Sequence, residues 1–193
     1  VAEKWNLSRK DLDKFALESH KKAAHATSEG YFDREIIPIE SRSDSLETSI
    51  LSNDEGIRYD ASLEALSGLK TVSDGGVITA GNASQITDGA SAVMVCNEKG
   101  LSKIKNDPRA EIISLSVVGD DPVFMLTGPI PATKLVLKTA NLTIDDMDLY
   151  EVNEAFAPVP MAWSQELNAD LNKLNVNGGA IALGHPLGAT GTK

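Results

Sequence analysis

Apolar residues recur every three or four positions near the start of the chain, at Leu12, Phe15, Ala16 and Ala23. This spacing is typical of an amphipathic helix, because it places the apolar side chains on one face. Ser8 is a candidate N-cap, and Asp11 three residues later makes a weaker version of the capping box. The pattern predicts a helix over residues 8–28 that ends at Gly30.

The chain from Tyr31 to Thr79 is polar and shows little periodicity. Its weak signals are a short apolar stretch at 36–39, a Ser/Asp-rich segment at 41–54 and a brief helical pattern at 61–69. Such a long irregular stretch inside a compact protein is usually a functional loop or lid. We therefore predict that residues 1–79 form a loop or lid region with an N-terminal helix.

Beyond Gly75 and Gly76, short apolar runs alternate with helical patterns. The runs that predict β-strands lie at 77–78, 90–96, 112–118 and 147–152, and the helical patterns lie at 100–106 and 131–140. This alternation favours an α/β fold in which helices cover a mixed sheet. The runs at 90–96 and 112–118 are apolar on both faces, which predicts strands covered on both sides and a buried Cys96.

Charge and cysteine content exclude several classes of protein. The 193 residues include 18 Lys and Arg against 28 Asp and Glu, a net charge of −10, so no nucleic-acid partner is expected, because phosphate binding needs surplus basic residues. The longest apolar run has about five residues, and a bilayer span needs roughly 20. The single cysteine and the absence of signal-peptide features predict a cytoplasmic protein, without a membrane span or a metal site.

Both ends of the chain are unusual for a complete protein. Val1 is not a methionine, and Lys193 follows directly on a Gly-rich segment that resembles the start of a helix. We therefore expect this chain to be a piece of a longer polypeptide.

The segment with the most chemical information is NVNGGAIALGHPLGATG, at residues 175–191, with five glycines from Gly178 to Gly191. Glycines at this density permit sharp turns and close approach to another backbone or a ligand. Pro186 biases His185 towards extended backbone and suits the first position of a following helix, whose dipole favours a neutral imidazole. Alternatively, His185 only caps a helix and the glycines cradle a phosphate, although neither a GxGxxG motif after a strand nor a P-loop is present.

A second segment, EVNEAFA at residues 151–157, follows the last predicted strand. Residues just beyond the carboxyl ends of strands line the ligand crevice of open α/β sheets. There Asn153 offers an amide that can hold a water, Glu154 a carboxylate and Phe156 an apolar wall. The alternative is a polar strand end followed by an ordinary helix, which we expect to start near Pro158 because proline is tolerated in a first turn.

These segments resemble the thiolase family. NVNGGAIALGHPLGATG is very similar to the thiolase signature, VNEAFA matches the second thiolase motif, and WNLSRKDLDKFALESH, ITAGNASQITDGA and MLTGPIPAT resemble further thiolase segments in the same order. The resemblance covers nearly the whole chain and is weakest over 41–54. It implies an incomplete thiolase-like fold, with the lid at 1–79, the end of the first core half at 80–107 and the truncated start of the second half at 108–193.

The resemblance implies an acetyl-CoA C-acyltransferase or acetyltransferase. Such enzymes cleave 3-ketoacyl-CoA through a cysteine nucleophile, or run the path in reverse as a Claisen condensation of acyl-CoA. Coenzyme A and acyl-CoA would be substrates, with no tightly bound cofactor. By position, His185 matches the histidine that activates the nucleophile and is one donor of the oxyanion hole. Asn153 matches the residue that fixes a water as the other donor.

Three further residues match substrate contacts of the family. Phe156 and Met125 match residues that line the acyl and pantetheine tunnel, and Ser84 matches a contact to the pantetheine chain. Plain packing is the alternative for Phe156 and Met125, and turn formation is the alternative for Ser84.

Both family cysteines are missing from this chain. The nucleophile precedes the part that corresponds to Val1, the acid/base cysteine lies in a CxG motif after the part that corresponds to Lys193, and Cys96 matches neither. We therefore expect the chain alone to be inactive. A rival hypothesis is a non-catalytic thiolase-fold binding subunit or scaffold, although a scaffold needs neither Asn153 nor His185. The resemblance also implies a homodimer or homotetramer.

Overall fold

The computed structural model describes residues 1–42, 48–104 and 110–193, and its longest element is helix α1, Arg9–Ser28. The other described elements are the strands β1 (Ile39–Arg42) and β2 (Thr48–Leu51), the helices α2 (Leu63–Ser67), α3 (Glu98–Leu101), α4 (Pro129–Ala140), α5 (Pro158–Leu167) and α6 (Ala180–Leu183), and short 3₁₀ helices at Met125–Thr127, Ile144–Asp146 and Leu171–Lys173. Among the described residues, no helix combines the length and apolar character that crossing a bilayer requires.

Local capping explains where α1 begins. The Asp11 backbone N–H donates to the Ser8 hydroxyl at 3.3 Å, and the Ser8 backbone N–H donates to the Asp11 carboxylate at 3.0 Å. This reciprocal pair satisfies two donors that the first turn leaves free. Gly30 follows the helix with a φ of +71°. The predicted helix and both of its ends are confirmed.

The two larger apolar clusters of the described residues hold most of the helices together. The first joins buried residues of α1, α2 and α6 to the start of α5, and includes Leu12, Ala16, Leu66, Ala157 and Ile181. The second joins α4 and α5 to the segment between these two helices and to the segment between α5 and α6. It includes Ile130, Tyr150, Val152, Trp163 and Leu174. The Gly-rich segment that contains α6 is therefore fixed directly to the longest helix of the chain.

The region predicted to be irregular contains regular structure. Strands β1 and β2 form an antiparallel pair in which Ile39 lies opposite Leu51. The helical pattern at 61–69 becomes the shorter helix α2, whose N-cap Ser62 accepts a hydrogen bond from the Ala65 backbone N–H at 3.2 Å.

The predicted mixed sheet does not form within the described part of the chain. Residues 90–96 and 112–118 form no strand there, and residues 77–78 and 147–152 give no more than isolated bridges, Thr71 with Thr79 and Tyr150 with Leu174. A strand needs a hydrogen-bonded neighbour. Among the described residues, 90–96 and 112–118 have no backbone hydrogen-bond partner, and the other two segments have one only over a single bridge.

Residues 90–96 and 112–118 are largely exposed, contrary to the sequence prediction. The side chains of Val95 and Val117 are 71% and 95% exposed. Cys96 is also exposed, so the prediction of a buried core cysteine is wrong for this structure.

Of the remaining helix predictions, those for α4 and α5 are confirmed, whereas the one at 100–106 overlaps the observed helix only at residues 100 and 101. Helix α5 begins at Pro158 as predicted, and α4 begins at Pro129, two residues before the predicted start. Helix α3 spans Glu98–Leu101 where the pattern predicted 100–106; residues 105 and 106 lie outside the described residues.

Candidate active site

Asn153 and His185 lie side by side although 32 residues separate them in the sequence. The Asn153 side-chain nitrogen Nδ2 is 3.3 Å from the His185 ring nitrogen Nε2. The Asn153 side chain is exposed and the imidazole is half-buried. An amide and an imidazole therefore face the same accessible space.

Backbone constraints on both sides fix the position of His185. Gly184, directly after α6, has a φ of +83°, and a Cβ there would lie 2.5 Å from the Thr87 hydroxyl oxygen. The His185 backbone N–H donates to the Gln85 carbonyl oxygen at 2.9 Å. Glycine is required at position 184 because another residue would be both strained and crowded.

His185 does not stand at the start of a helix in the described structure. Consecutive turns follow it: the Ala189 and Thr190 backbone N–H groups donate to the Pro186 carbonyl oxygen at 2.7 and 3.0 Å, and the Thr192 and Lys193 N–H groups donate to the Ala189 carbonyl oxygen at 3.1 and 3.2 Å. These turns do not make up a full helix within the described residues, so the prediction of a helix dipole at His185 is not confirmed. Instead, the ring is oriented by a side chain: Nδ1 lies 2.7 Å from the Thr190 hydroxyl.

Asn175 fixes the backbone that leads to Asn153. Its side-chain oxygen accepts the Val152 backbone N–H at 2.9 Å, and its side-chain nitrogen donates to the Val152 carbonyl oxygen at 2.9 Å. These two bonds replace the strand neighbour that Val152 lacks, because they pair both of its backbone groups. The Gly-rich segment thus positions both candidate catalytic residues.

Glu154 points away from the crevice into the core, contrary to the sequence prediction. Its side chain is 1% exposed. Its carboxylate accepts hydrogen bonds from the Ser19 hydroxyl at 2.6 Å, the Asn175 amide at 2.9 Å and the Ile181 backbone N–H at 3.1 Å. Burial raises the pKa of Glu154, and the three donors oppose that shift.

Three of the five glycines are required by crowding. A Cβ on Gly179 would collide with the Glu154 carboxylate, and one on Gly178, where φ is +84°, would lie 2.7 Å from the Ala23 side chain. Gly188 and Gly191, in contrast, have open space around them. The prediction of main-chain crowding is right for the first part of the segment and wrong for the last.

Ser84 and Phe156 lie on neighbouring backbone segments next to His185. The Ser84 backbone N–H donates to the Ala155 carbonyl oxygen at 3.0 Å, and residues 83 and 156 form an antiparallel bridge. Because Gln85 binds the His185 backbone, Ser84 is one residue from that contact. The Phe156 side chain is 36% exposed. The described contacts therefore gather four of the five predicted site residues.

Met125 lies apart from this group. It begins the 3₁₀ helix Met125–Thr127, and its side chain is 67% exposed. No hydrogen bond within the described ranges joins it to the other predicted site residues.

Sequence reasoning missed two side chains that organise the site. Gln85 donates from Nε2 to the carbonyl oxygens of Gly56 at 2.7 Å and Ile181 at 2.9 Å, which ties the loop before α2 to α6. Thr190 contacts the imidazole. It lies four residues after Pro186, and this helical spacing was the one feature of the sequence that could have identified Thr190 as a neighbour of His185. In the described part of the chain, no cluster of three His, Cys, Asp or Glu could hold a metal ion.

Two family models cover almost the whole chain. The thiolase N-terminal domain matches residues 1–99, and the thiolase C-terminal domain matches residues 106–193. The chain belongs to the thiolase family.

Individual relatives show the same likeness over the whole chain. A steroid 3-ketoacyl-CoA thiolase of Mycobacterium tuberculosis is 52% identical over 193 residues, which is all of this chain and 46% of that protein. The crystal structure of human mitochondrial 3-ketoacyl-CoA thiolase is 43% identical with a TM-score of 0.90, covering 99% of this chain and 48% of the human chain. The acetyl-CoA acetyltransferase of Bacillus anthracis gives 38% identity and a TM-score of 0.91, covering 99% of this chain and 48% of that chain.

These comparisons confirm the thiolase-like α/β fold class. They also show that the chain spans about half the length of the relatives it matches.

Proposed function

We propose that this chain forms part of a thiolase-type acyltransferase that acts on acyl-CoA, by thiolytic cleavage of 3-ketoacyl-CoA or by the reverse Claisen condensation. Family membership supports the reaction class. The observation that carries the proposal is the 3.3 Å approach of Asn153 Nδ2 to His185 Nε2. A homodimer or homotetramer and a cytoplasmic location belong to the same proposal.

His185 and Asn153 would act on the two charges that the reaction creates. In thiolysis, a cysteine supplied by the rest of the protein loses its proton to His185 Nε2, and its thiolate adds to the ketone carbon. The bond between C2 and C3 then breaks, which leaves the acyl group on that cysteine as a thioester and releases an acetyl-CoA enolate. The acid/base cysteine that the resemblance places in a downstream CxG motif would protonate the enolate, and a second CoA would take the acyl group and free the nucleophile. His185 and an Asn153-bound water would stabilise the oxyanion, and removing one such donor costs about 10²–10³ in rate.

Ser84, Phe156 and Met125 would contact the substrate outside the reacting atoms. Ser84 and Phe156 lie on paired backbone beside His185, which suits contacts to the pantetheine chain and the acyl group. The exposed Met125 side chain is available for the same tunnel. The complex of human mitochondrial 3-ketoacyl-CoA thiolase with CoA concerns a protein 43% identical to this chain, which supports CoA as the ligand class.

The first test is His185→Ala in the full reading frame that contains this chain. We expect turnover of 3-ketoacyl-CoA to fall by at least about 10²-fold, because the variant loses both a general base and an oxyanion donor. The matched control is His25→Ala, which removes an exposed histidine from α1.

Two outcomes would contradict the proposal. A near-normal rate in His185→Ala removes His185 from the mechanism. A folded wild-type protein that binds CoA but shows neither cleavage nor condensation supports the non-catalytic scaffold instead.

A further inference from the structure

The last hydrogen bond of helix α6 is replaced by contacts to another segment of the chain. In a continued helix the Ile181 carbonyl oxygen would accept the backbone N–H of the residue four positions later, which is His185. Instead, the His185 N–H donates to the Gln85 carbonyl oxygen at 2.9 Å, and the Ile181 carbonyl oxygen accepts the Gln85 side-chain nitrogen Nε2 at 2.9 Å. One residue from outside the helix therefore binds both groups that the end of the helix leaves free.

The orientation of the Gln85 amide follows from its two neighbours. Nε2 lies 2.7 Å from the Gly56 carbonyl oxygen and 2.9 Å from the Ile181 carbonyl oxygen. Both neighbours only accept hydrogen bonds and the NH₂ group offers two donors, whereas a turned amide would bring its oxygen against two other oxygens. The Gln85 side chain is therefore fixed at two points.

The loop that supplies Gly56 packs directly on α6. A Cβ on Gly56 would lie 2.7 Å from the Ala182 carbonyl oxygen, so the two backbones are in close contact. The next residue, Ile57, is buried in a cluster with Ala23 of α1 and Ala182 of α6. Gln85 is thus attached to α6 directly, and also through a loop that is itself packed against α1 and α6.

The direction of the chain at His185 depends on this attachment. The chain leaves the helix at Gly184, directly before His185, with a φ of +83°. Glycine adopts this conformation readily, but it adopts many others as well, so Gly184 alone does not fix the backbone that follows it. Among the described backbone hydrogen bonds, the His185 N–H has one acceptor, the Gln85 carbonyl oxygen.

From this geometry we infer that Gln85 is a positioning residue that fixes the backbone of His185, by replacing the hydrogen bond that would otherwise continue α6. This inference rests on the proposed function, because it gives the placement of His185 a consequence for turnover. A general base contributes roughly 10²–10⁴-fold in rate only where it lies within reach of the reacting group.

The neighbouring Ser84 does not depend on the Gln85 side chain in the same way. Its own backbone N–H donates to the Ala155 carbonyl oxygen at 3.0 Å. Loss of the Gln85 amide should therefore displace His185 more than Ser84, and should affect kcat more than KM.

The first test is Gln85→Met in the full reading frame that contains this chain. Methionine keeps the length and the unbranched shape of glutamine and removes the amide, so the two carbonyl oxygens lose their donor. We expect kcat to fall by about 10-fold or more, as part of the general-base contribution, while the KM for acyl-CoA stays within about twofold. The matched control is Gln165→Met, which removes an exposed glutamine from α5 and should leave both constants at their wild-type values.

Hydrogen–deuterium exchange, resolved to single amides by mass spectrometry, tests the placement of His185 without any need for turnover. In the wild type we expect the His185 backbone N–H to be protected, because a bonded amide must open before it exchanges. In Gln85→Met this amide should exchange about 10-fold faster or more, since the acceptor is no longer fixed, whereas the amides of α1 should keep their wild-type rates.

The results separate this inference from the proposed function. A wild-type His185 amide that exchanges as fast as an unbonded amide overturns the inference, whether or not Gln85→Met folds. Wild-type kcat in Gln85→Met overturns it as well, and so does an equal acceleration of exchange at all amides, which indicates a loss of overall stability. Faster exchange confined to His185 in a protein without thiolase activity would support the positioning role and refute the proposed function.

Discussion

At the scale of single residues, the buried carboxylate of Glu154 connects three segments beneath the site. Ser19 comes from α1, Asn175 from the loop before α6, and Ile181 from α6 itself, and all three donate to this one side chain. A buried carboxylate persists only where donors replace the water it has lost. Glu154 therefore holds the backbone on which Asn153 and His185 depend.

We expect Glu154→Gln to lower the free energy of unfolding by about 1–3 kcal/mol, the cost of leaving one buried polar group unpaired. A glutamine brings an NH₂ group into a site built of donors. If its oxygen faces Ser19 and Ile181, its NH₂ faces the Asn175 amide, which cannot turn because it already pairs both backbone groups of Val152. Urea denaturation of the full-length protein measures the change.

Glu166→Gln is the matched control for this carboxylate. Glu166 bonds Lys134 at 3.2 Å on the surface, with 42% of its side chain exposed. Its loss should leave the urea midpoint of unfolding close to that of the wild type, because surface substitutions of this kind rarely affect stability. Equal stability of Glu154→Gln and wild type would show that the buried network does not depend on the carboxylate.

At the scale of elements, the longer helices α1, α4 and α5 could be predicted from the sequence, and the strands could not. Helix α1 closes its own hydrogen bonds and carries its cap in Ser8 and Asp11, so a local pattern defines it. A strand takes its hydrogen bonds from another segment. The apolar runs at 90–96 and 112–118 have the composition of strands without a partner in the described part of the chain.

The candidate site shows the same division. His185 and Asn153 could be proposed from their motifs, because the resemblance supplied a pairing over 32 residues that no local pattern contains. The inward direction of Glu154 could not be predicted, because alternation places a side chain on a face only where a regular strand exists. Gln85 and Thr190 act through contacts that depend on the folded backbone.

His20 links α1 to the loop before α2 through a bond that depends on pH. Its Nδ1 accepts the Arg58 backbone N–H at 3.1 Å, which requires an unprotonated nitrogen. Burial, with a smaller effect of the Arg58 charge, lowers the pKa of His20 below 6.5. The folded state therefore favours neutral His20, and this stabilisation is present above pH 6.5 and lost as the pH falls through the folded pKa.

We expect His20→Asn to reduce the loss of stability on acidification below about pH 6.5. Asparagine places an oxygen near the position of Nδ1, so it can accept from Arg58 without titrating. Unfolding free energies measured between neutral and mildly acidic pH give the comparison. His25→Asn, at an exposed position of the same helix, should keep the wild-type dependence of the unfolding free energy on pH. If His20→Asn shows the same dependence as the wild type, His20 is not the source of the loss of stability at acidic pH.

At the scale of the whole molecule, the described chain combines well-packed helices with exposed apolar segments. The clusters around Leu12 and Trp163 are buried. The segments at 90–96 and 112–118, in contrast, expose Val93, Val95 and Leu115 by 62%, 71% and 79%. A charge of −10 opposes association, but it acts over the whole surface and does not cover a local apolar patch.

We expect the isolated 193-residue chain to self-associate, because exposed apolar segments with unpaired backbone are templates for pairing with other chains. Sedimentation velocity over a range of protein concentrations measures this, and replacing Val93 and Leu115 by lysine should shift the distribution towards monomer. Ile37→Lys is the control, since Ile37 is 82% exposed but lies outside these segments. If the unmodified chain sediments as a monomer and unfolds cooperatively, the exposed segments do not drive association, and the 193 residues form an independent folding unit.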